Sequence, residues 1–245
     1  MGRRHREVWE SLGRSDPDWA VLTDPARRRG GWAPDLEAFY GTGRAEVDEV
    51  LAGLPADTGR SRATDWGSGT GRLSLALAAH FDQVTSVDVS DPMLATLADR
   101  AAQRGVTNVR GVRLDEHRPG ADQDLVLCLL VLQHLPDRAA VLAALEAMTA
   151  SLRPGGRLVV EVPDRALTAR ARAQPRYRAY QVLRLVGVPT GWLHARGLSG
   201  ISMVSVDQGL VRATLEGCGA TVEVASVVRP GDGHRYVRYV ARRIR

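Results

Sequence analysis

The fold of this chain is decided by the glycine-rich stretch Asp65-Trp-Gly-Ser-Gly-Thr-Gly71. It closes a predicted strand over Arg62–Asp65 and precedes a helical pattern that begins after Gly71. Glycine at this position lets the backbone turn tightly and approach a ligand without obstruction by a Cβ atom. The stretch therefore indicates the first strand–loop–helix unit of an α/β domain, with a ligand-binding turn.

A second acidic residue, Asp88, stands about 20 residues further on, at the end of the predicted strand Val84–Val89. A carboxylate there can accept hydrogen bonds from the hydroxyls of a ribose. The alternative is that Asp88 caps the following helix. Because Ser90 and Asp91, just before Pro92, already supply that cap, the position favours ribose binding.

The spacing within the loop separates two classes of cofactor. A dinucleotide fingerprint reads G-x-G-x-x-G and aims a helix N-terminus at a pyrophosphate. Here the pattern is acidic-x-Gly-x-Gly-x-Gly, and Arg72 occupies the position of the fingerprint's third glycine. The carboxylate of Asp65 suits a cationic ligand, and S-adenosylmethionine carries both a sulfonium and an ammonium group. The pattern therefore favours S-adenosylmethionine over NAD.

Apolar runs alternate with helical patterns from residue 62 onward, which is typical of βαβ units and a mostly parallel sheet. Five strands are predicted, over Arg62–Asp65, Val84–Val89, Asn108–Leu114, Asp124–Val131 and Arg157–Val162. Helices are predicted after Gly71, near Pro92 and over Asp137–Leu152. The last of these begins at a predicted N-cap, Asp137, and is stopped by Pro154-Gly-Gly156.

The C-terminal part predicts a different arrangement. A short helix over Asp207–Glu216 leads into two strands, Thr221–Val228 and Arg235–Ala241. The connection Pro230-Gly-Asp-Gly233 is so short that the two strands must form an antiparallel hairpin. The predicted fold is α/β: a doubly wound, seven-stranded, mostly parallel sheet with a C-terminal antiparallel hairpin.

These segments resemble the motifs of the class I S-adenosylmethionine-dependent methyltransferases. The glycine-rich loop resembles the first motif, and Val84–Ser90, with Asp88, resembles the acidic second motif. The run from Asp124 to Leu135 resembles the fourth strand and its exit, and Leu152–Val160 resembles the turn into the fifth strand. The terminal hairpin resembles the strand pair that distinguishes this family from dehydrogenases. The match covers residues 62–162 well and the C-terminus in outline.

The resemblance implies four segments. Residues 1–60 form an N-terminal helical lid and acceptor region, in which Trp9-Glu-Ser-Leu-Gly13 and Asp16-Pro-Asp-Trp19 are similar to a subgroup with small-molecule acceptors. Residues 61–163 form the Rossmann-like, cofactor-binding core. Residues 164–204 form an insertion that caps the acceptor, and residues 205–245 supply the helix and antiparallel strands that complete the sheet.

The resemblance also implies which residues of the loop hold S-adenosylmethionine and its product, S-adenosylhomocysteine. The backbone of the loop lines the methionine and adenosine parts, and its expected contact residues are Asp65, Gly67, Ser68, Gly69 and Gly71. Asp88 would hold the ribose, with Val89 beside it. Leu130, at the exit of the fourth strand, is expected to contact the same ligand.

Two residues are candidates for contacts with the adenine. Met93 lies either against the ring or in the core that its helix forms, and the sequence favours neither. An acidic residue after the third strand often meets the adenine amino group in this family, and Asp115 is the nearest candidate. The segment Leu114-Asp-Glu-His-Arg-Pro119 departs from the usual pattern, which places that role of Asp115 in doubt.

The lid is expected to supply further contacts. Tyr40 and Arg44 could close over the cofactor, with Arg44 paired to its carboxylate and Trp32 beside them. Ordinary packing of a short helix against the core is the alternative for each.

His134, at the end of the fourth strand, is the candidate for a general base or a group that orients the acceptor. The alternative is a structural histidine that caps the next helix. His117 and His194 are weaker candidates for the base. The sequence shows no spacing typical of metal ligands, so no metal is expected.

Composition bounds the remaining possibilities. All 33 basic residues are arginine against 28 acidic residues, a usage that suggests a GC-rich bacterial genome. The arginines are spread along the chain, and their densest cluster, Arg27-Arg-Arg29, is short, so a nucleic-acid groove is not expected. There is no membrane-length apolar run, no secretory signal and no cysteine pair with a metal or disulfide spacing. The cytoplasm is the expected location.

The predicted activity is transfer of a methyl group from S-adenosylmethionine to an oxygen or nitrogen atom of a small molecule, by in-line displacement. One alternative is an RNA methyltransferase, but Leu132-Gln-His-Leu-Pro136 lacks the Asn/Asp-Pro-Pro-aromatic motif that is usual in methylation of base amino groups. Another is a module that binds the cofactor without turnover. The identity of the acceptor and the oligomeric state stay open at this point.

Overall fold

A computed structural model describes residues 3–163, 175–196, 198, 204–231 and 234–244. Its single sheet has seven strands: β1 Arg62–Trp66, β2 Gln83–Asp88, β3 Val109–Arg113, β4 Gln123–Cys128, β5 Leu152–Pro163, β6 Ala220–Gly231 and β7 His234–Arg243. The spatial order is β3-β2-β1-β4-β5-β7-β6. Strands β1 to β5 are parallel, β7 runs antiparallel to β5, and β6 pairs antiparallel with β7. The predicted fold class is confirmed.

Helices cover both faces of the sheet. Their bounds are α1 Arg3–Ser15, α2 Pro17–Val21, α3 Leu36–Ala52, α4 Ser74–Leu77, α5 Asp91–Gln103, α6 Arg138–Ser151, α7 Pro175–Leu185, α8 Thr190–Ala195 and α9 Gln208–Gly217. The central strand β4 is fully buried, and its side chains alternate between two cores. Leu125 and Leu127 face α3 and α4, whereas Val126 and Cys128 face α6 and α9. The sheet is therefore doubly wound.

Most predicted boundaries differ from the structure by a few residues, and two of the differences have a local backbone cause. Strand β4 ends at Cys128 rather than Val131, because Leu130 adopts a left-handed backbone with φ +60° and turns the chain out of the sheet. Strand β5 begins at Leu152, before the predicted glycine stop. The residues Pro154-Gly-Gly156, which were expected to stop the preceding helix, lie within β5 at a register shift in its pairing with β4, where Gly155 has φ +82°. Asp137 caps α6 as predicted, since its carboxylate accepts a hydrogen bond from the amide of Ala140 at 2.8 Å.

The N-terminal helices lie over the carboxyl ends of the parallel strands. Leu12 of α1 and Ala20 of α2 pack against Met93 at the start of α5, and α8 contacts α1. Most of residues 164–174 and 197–203, which belong to the predicted insertion, lie outside the described residues. In the part of the chain that is described, no helix combines the length and apolar character needed to cross a membrane.

Candidate functional site

A cavity of about 280 Å³ lies at the carboxyl ends of β1, β2 and β4. The strand order reverses between β1 and β4, and ligands of open α/β sheets bind at such a reversal. The glycine-rich loop and the segment after β4 form one side of the cavity. Residues of α1, α2 and the turn after α2 form the other: His5, Trp9, Ala20, Val21, Leu22 and Thr23.

The glycines of the loop have left-handed backbones and distinct surroundings. Gly67 has φ +81° and Gly69 has φ +52°, and a Cβ atom would run into Val131 at the first position and into Val21 at the second. Both glycines line the cavity. Gly71 does not: with φ +86° it faces α5, where a Cβ atom would lie 2.6 Å from Leu97. Gly71 thus supports the loop from behind instead of lining the cavity as expected.

Asp88 lines the cavity and is tied to the loop. Its Oδ2 accepts a hydrogen bond from the Gly69 amide at 2.9 Å, and its Oδ1 accepts two from the amides of Val89 and Ser90 at 2.7 and 2.9 Å. Burial raises the pKa of Asp88, and these three donors oppose that shift. The helix cap is Ser90, whose hydroxyl accepts from the Met93 amide. Oδ2 of Asp88 therefore keeps capacity for a further donor.

Asp65 also lines the cavity and is only 1% exposed. Its Oδ2 accepts a hydrogen bond from the Ser74 hydroxyl at 2.6 Å. Burial raises the pKa of Asp65 to about 6, against the opposing influence of that hydrogen bond and of the Arg72 guanidinium. A cationic group in the cavity would stabilise the ionised form.

The segment that follows β4 lines the far side of the cavity, with apolar residues first and polar residues after them. Leu130 and Val131 line it, and the backbone of Leu130 is held in a conformation that non-glycine residues rarely adopt. The short 3₁₀ helix Leu132–His134 then turns Gln133 and His134 into the lining. A left-handed leucine beside a cavity is typical of the strain that folds store at functional sites.

His134 packs against α1. Its ring lies 5.2 Å from that of Trp9, measured between centroids, and the Trp9 indole donates a hydrogen bond to Nε2 of His5 at 3.2 Å. Burial lowers the pKa of His134 to about 3 and that of His5 to about 4. Both rings are therefore neutral at physiological pH. We define His5, Trp9, Gln133 and His134 as the acceptor end of the cavity.

Besides Gly71, three expected contact residues lie outside the cavity lining: Asp115, Arg44 and Tyr40. Asp115 is drawn to the surface by Arg113 and by Arg6 of α1, whose guanidinium lies 2.7 Å away, and these two arginines hold the pKa of Asp115 far below its usual range. Its neighbour Leu114 lines the cavity instead. Arg44 lies on the exposed side of α3, 3.6 Å from Glu37.

Tyr40 is buried, but its hydroxyl is engaged behind the loop. It donates a hydrogen bond to the carbonyl of Thr70 at 3.2 Å and accepts one from Arg100 at 2.9 Å. Trp32 packs with Phe39 in the same cluster. Met93 lines the cavity and is 1% exposed in the core with α1 and α2, so it stays a candidate for the adenine contact while it also packs in the core. His117 stacks edge-on against Trp66 outside the lining, and the side chain of His194 lies outside the described ones.

The sequence did not identify several lining residues. Among them are His5, Arg72, Gln133 and Tyr236, which come from four distant parts of the chain. Within the described part, four buried polar atoms of the lining have no hydrogen-bond partner: Ser68 Oγ, Arg72 Nε, Gln133 Oε1 and His134 Nδ1. Buried polar groups are normally paired, so these atoms mark where ligand groups belong. Across residues 3–163 and the described segments that follow, no cluster of histidine, cysteine and acidic side chains is suited to a metal.

These residues fit an onium-bearing nucleoside. The glycine loop, where a Cβ atom at Gly67 or Gly69 would run into Val131 or Val21, lines the cavity together with two carboxylates, the buried Asp65 and the half-buried Asp88. The carboxylates match cationic and hydroxyl groups and would repel a pyrophosphate. S-adenosylmethionine presents the matching groups.

Comparison with known proteins agrees with this geometry. A methyltransferase-domain model matches residues 64–158. The ubiquinone biosynthesis O-methyltransferase of Methylococcus capsulatus is 31% identical over 197 residues, which is 77% of this chain and 79% of that protein. The fold is similar to magnesium protoporphyrin IX methyltransferase from Synechocystis, crystallised with S-adenosylhomocysteine, with a TM-score of 0.65, 19% identity and 97% coverage of each chain.

A second solved structure covers nearly the whole chain. An N-methyltransferase from Bradyrhizobium japonicum, in complex with S-adenosylhomocysteine, has a TM-score of 0.61 at 16% identity and covers 97% of this chain and 98% of its own. Fold, glycine loop, acidic second motif and sequence similarity all agree. The chain belongs to the class I S-adenosylmethionine-dependent methyltransferases that act on small molecules.

Proposed function

We propose that this enzyme methylates an oxygen or nitrogen atom of an uncharged small molecule bound at the acceptor end of the cavity. The observation that carries the proposal is a pair of unpartnered buried atoms there, Oε1 of Gln133 and Nδ1 of His134, beside the ring of Trp9. Of the described residues that line the cavity, those with charged side chains are Asp65, Asp88 and Arg72. All three belong to the glycine-loop side, so the acceptor end recognises a neutral group.

The cofactor half of the site would be held by the loop. We assign the ribose to Asp88, the methionine part to Asp65, Gly67, Ser68 and Gly69, and the adenosine part to Val89, Met93 and Leu130. S-adenosylmethionine would supply the methyl group of its sulfonium, which passes to the acceptor by in-line displacement. S-adenosylhomocysteine would be the leaving group. The contribution of this chain is to align the acceptor and to exclude water, and such positioning accounts for a large part of rate enhancement in transfer reactions.

The geometry favours an orienting role for His134 over the role of base. The Gln133 amide nitrogen, which can only donate, lies 3.2 Å from Nε2 of His134. Nε2 therefore accepts, and the neutral imidazole carries its proton on the unpartnered Nδ1. With a pKa of about 3, the ring resists a second proton. Nδ1–H would donate a hydrogen bond to the acceptor molecule, and Gln133 Oε1 would accept one from its hydroxyl or amine. The proton that this group loses on methylation would pass to water, not to Gln133 or His134.

Two substitutions of His134 separate these roles. His134→Phe keeps a ring against Trp9 and removes both nitrogens, and we expect kcat/KM to fall about 10- to 100-fold, as for a lost hydrogen bond in a buried site. His134→Gln restores a donor and should recover part of the loss. S-adenosylhomocysteine affinity, measured by calorimetry, should stay within a factor of about two in both. If His134→Gln is as inactive as His134→Phe and the wild-type rate titrates with an acidic group near pH 6 to 7, His134 is a base.

Enclosure favours a small acceptor over RNA. The acceptor end lies beneath α1, where Trp9 packs on His134, and Val21 of α2 contacts the glycine loop. We further propose that residues 1–60 act as the lid, that residues 164–204 complete the acceptor side, and that residues 61–163 with 205–245 form the core. A cytoplasmic, bacterial enzyme is supported by two unpaired cysteines, the absence of lysine and the bacterial origin of the relatives.

A further inference from the structure

We propose that Arg72, directly after the glycine-rich loop, binds the carboxylate of the methionine part of the cofactor. The loop would then hold a zwitterion between two fixed charges, with Asp65 on the ammonium and Arg72 on the carboxylate. The inference rests on the proposed cofactor site and adds a residue to it. In the dinucleotide fingerprint this position is a glycine, where close helix–strand packing is needed.

The first observation is an unsatisfied donor on a buried cation. Arg72 is only 4% exposed and lines the cavity. One terminal nitrogen lies 2.7 Å from Oε2 of Glu46, and the other donates to the hydroxyl of Thr42 at 3.3 Å. The third nitrogen, Nε, is buried without an acceptor. Because a buried guanidinium is stable only when its donors are paired, Nε marks a place for an anionic or acceptor group of a ligand.

The second observation concerns charge. Among the described residues that line the cavity, Arg72 is the one that carries a positive charge at neutral pH, since His5 and His134 are kept neutral by burial. Asp65 and Asp88 are the acidic side chains of the same lining. A ligand that brings a carboxylate into this cavity has no other described cation to pair with, and a guanidinium is well suited to carboxylates.

The third observation is that α3 holds the residue in place. A Cβ atom on Gly43 of α3 would run into the backbone carbonyl of Arg72, so the helix and the loop are in direct contact there. Thr42 and Glu46, on the same helix, then anchor two of the three guanidinium nitrogens. Arg44, which the sequence suggests for the carboxylate, points to solvent beside Glu37 instead.

The test compares two ligands that differ only in the carboxylate. Calorimetry of wild type, Arg72→Gln and Arg44→Gln would use S-adenosylmethionine and its decarboxylated analogue, without acceptor. Arg72→Gln should lower the affinity for S-adenosylmethionine roughly 10- to 100-fold, which is the loss expected for a charged hydrogen bond. It should change the affinity for the decarboxylated analogue less than about twofold. Arg44→Gln should change neither affinity.

The matched ligand keeps the outcomes distinct. Equal losses for both ligands would assign Arg72 a purely structural role and overturn the proposal, as would a carboxylate-specific loss in Arg44→Gln. If Arg72→Gln does not fold, Arg72→Lys is judged by the same criterion of selectivity for the carboxylate. If neither ligand binds the wild type, the cofactor site itself is wrong and not merely the role of Arg72.

Discussion

At the scale of single residues, Asp65 is a carboxylate that the fold holds out of water. Burial raises its pKa from 3.8 to about 6, so the folded state binds this proton more tightly than the unfolded state does. The resulting stabilisation is complete below pH 3.8 and is lost as the pH rises through 6. At pH 8 the folded state is therefore about 3 kcal/mol less stable, through this group, than it is below pH 3.8. We propose that the protein tolerates this loss because the same charge attracts the cofactor.

Substitution Asp65→Asn should separate stability from binding. Asparagine keeps an acceptor for the Ser74 hydroxyl and removes the charge, so the free energy of unfolding in urea should rise at pH 8, by up to about 3 kcal/mol, and change little at pH 4. Affinity for S-adenosylmethionine should fall at least tenfold, roughly the loss of one charged contact.

The matched control is Asp82→Asn, at an exposed position just before β2. It should alter neither the pH dependence of unfolding nor the affinity for S-adenosylmethionine. A variant of Asp65 that is destabilised equally at both pH values would show that the carboxylate is structural.

At the scale of secondary structure, a buried ion pair joins α2 to α5, and a hydrogen bond joins α2 to the glycine loop. Both carboxylate oxygens of Asp18 contact Arg100 of α5, at 2.5 and 2.8 Å, and Oδ1 also accepts from the hydroxyl of Thr70 at 3.1 Å. Asp18 is 7% exposed and lies outside the cavity lining. It therefore acts on the site only through the position of the lid.

Breaking this pair should release the lid. Asp18→Ala removes the only carboxylate paired with Arg100 among the described residues and leaves the Tyr40 hydroxyl, 2.9 Å away, as its hydrogen-bond acceptor. We expect a loss of about 3 kcal/mol in the free energy of unfolding. Trypsin should then cleave the arginine-rich segment 1–30 faster than in wild type, and S-adenosylhomocysteine should bind more weakly. Glu10→Gln in α1, which removes an exposed pair with Arg14 at 3.5 Å, is the control and should behave like wild type. Unchanged proteolysis of Asp18→Ala would mean that the pair does not hold the lid.

At the scale of the whole molecule, many of the arginines whose side chains are described pair with the protein's own carboxylates. The net charge is +5, yet pairs such as Arg153–Asp124, Arg157–Glu223 and Arg238–Glu161 join the strands β4, β5, β6 and β7 to one another. A nucleic-acid groove would instead concentrate unpaired cations along one surface. Among the described residues, this distribution of charge favours the proposed small-molecule acceptor over a polyanion.

Binding of single-stranded RNA should accordingly be weak and only mildly dependent on salt. In fluorescence anisotropy we expect a Kd no tighter than about 10⁻⁵ M at physiological salt and fewer than about three neutralised phosphates from the salt slope. RNA should also release no S-adenosylhomocysteine from S-adenosylmethionine. Submicromolar binding with a steep salt slope would favour the RNA methyltransferase instead.

Local sequence patterns were enough to predict the architecture of the molecule. These patterns depend only on residues that are close in sequence. The two periodicities predict the strands and helices, the glycine loop and the acidic residue at the end of β2 predict the cofactor class, and the short terminal connection predicts the hairpin. Where a boundary was wrong, as at Leu130, a backbone strain that residue type does not reveal had ended the strand.

Which side chains come together around the cavity was decided by the tertiary structure alone. His5 meets His134 because α1 crosses the strand ends, Arg6 draws Asp115 out to the surface, and α3 turns Arg44 to solvent while it holds Arg72 beneath the loop. Burial, which sets the pKa values of Asp65 and His134, arises from the same packing. The physical reason is that the direction and the solvation of a side chain depend on elements far away in sequence, whereas backbone periodicity depends on residues close by.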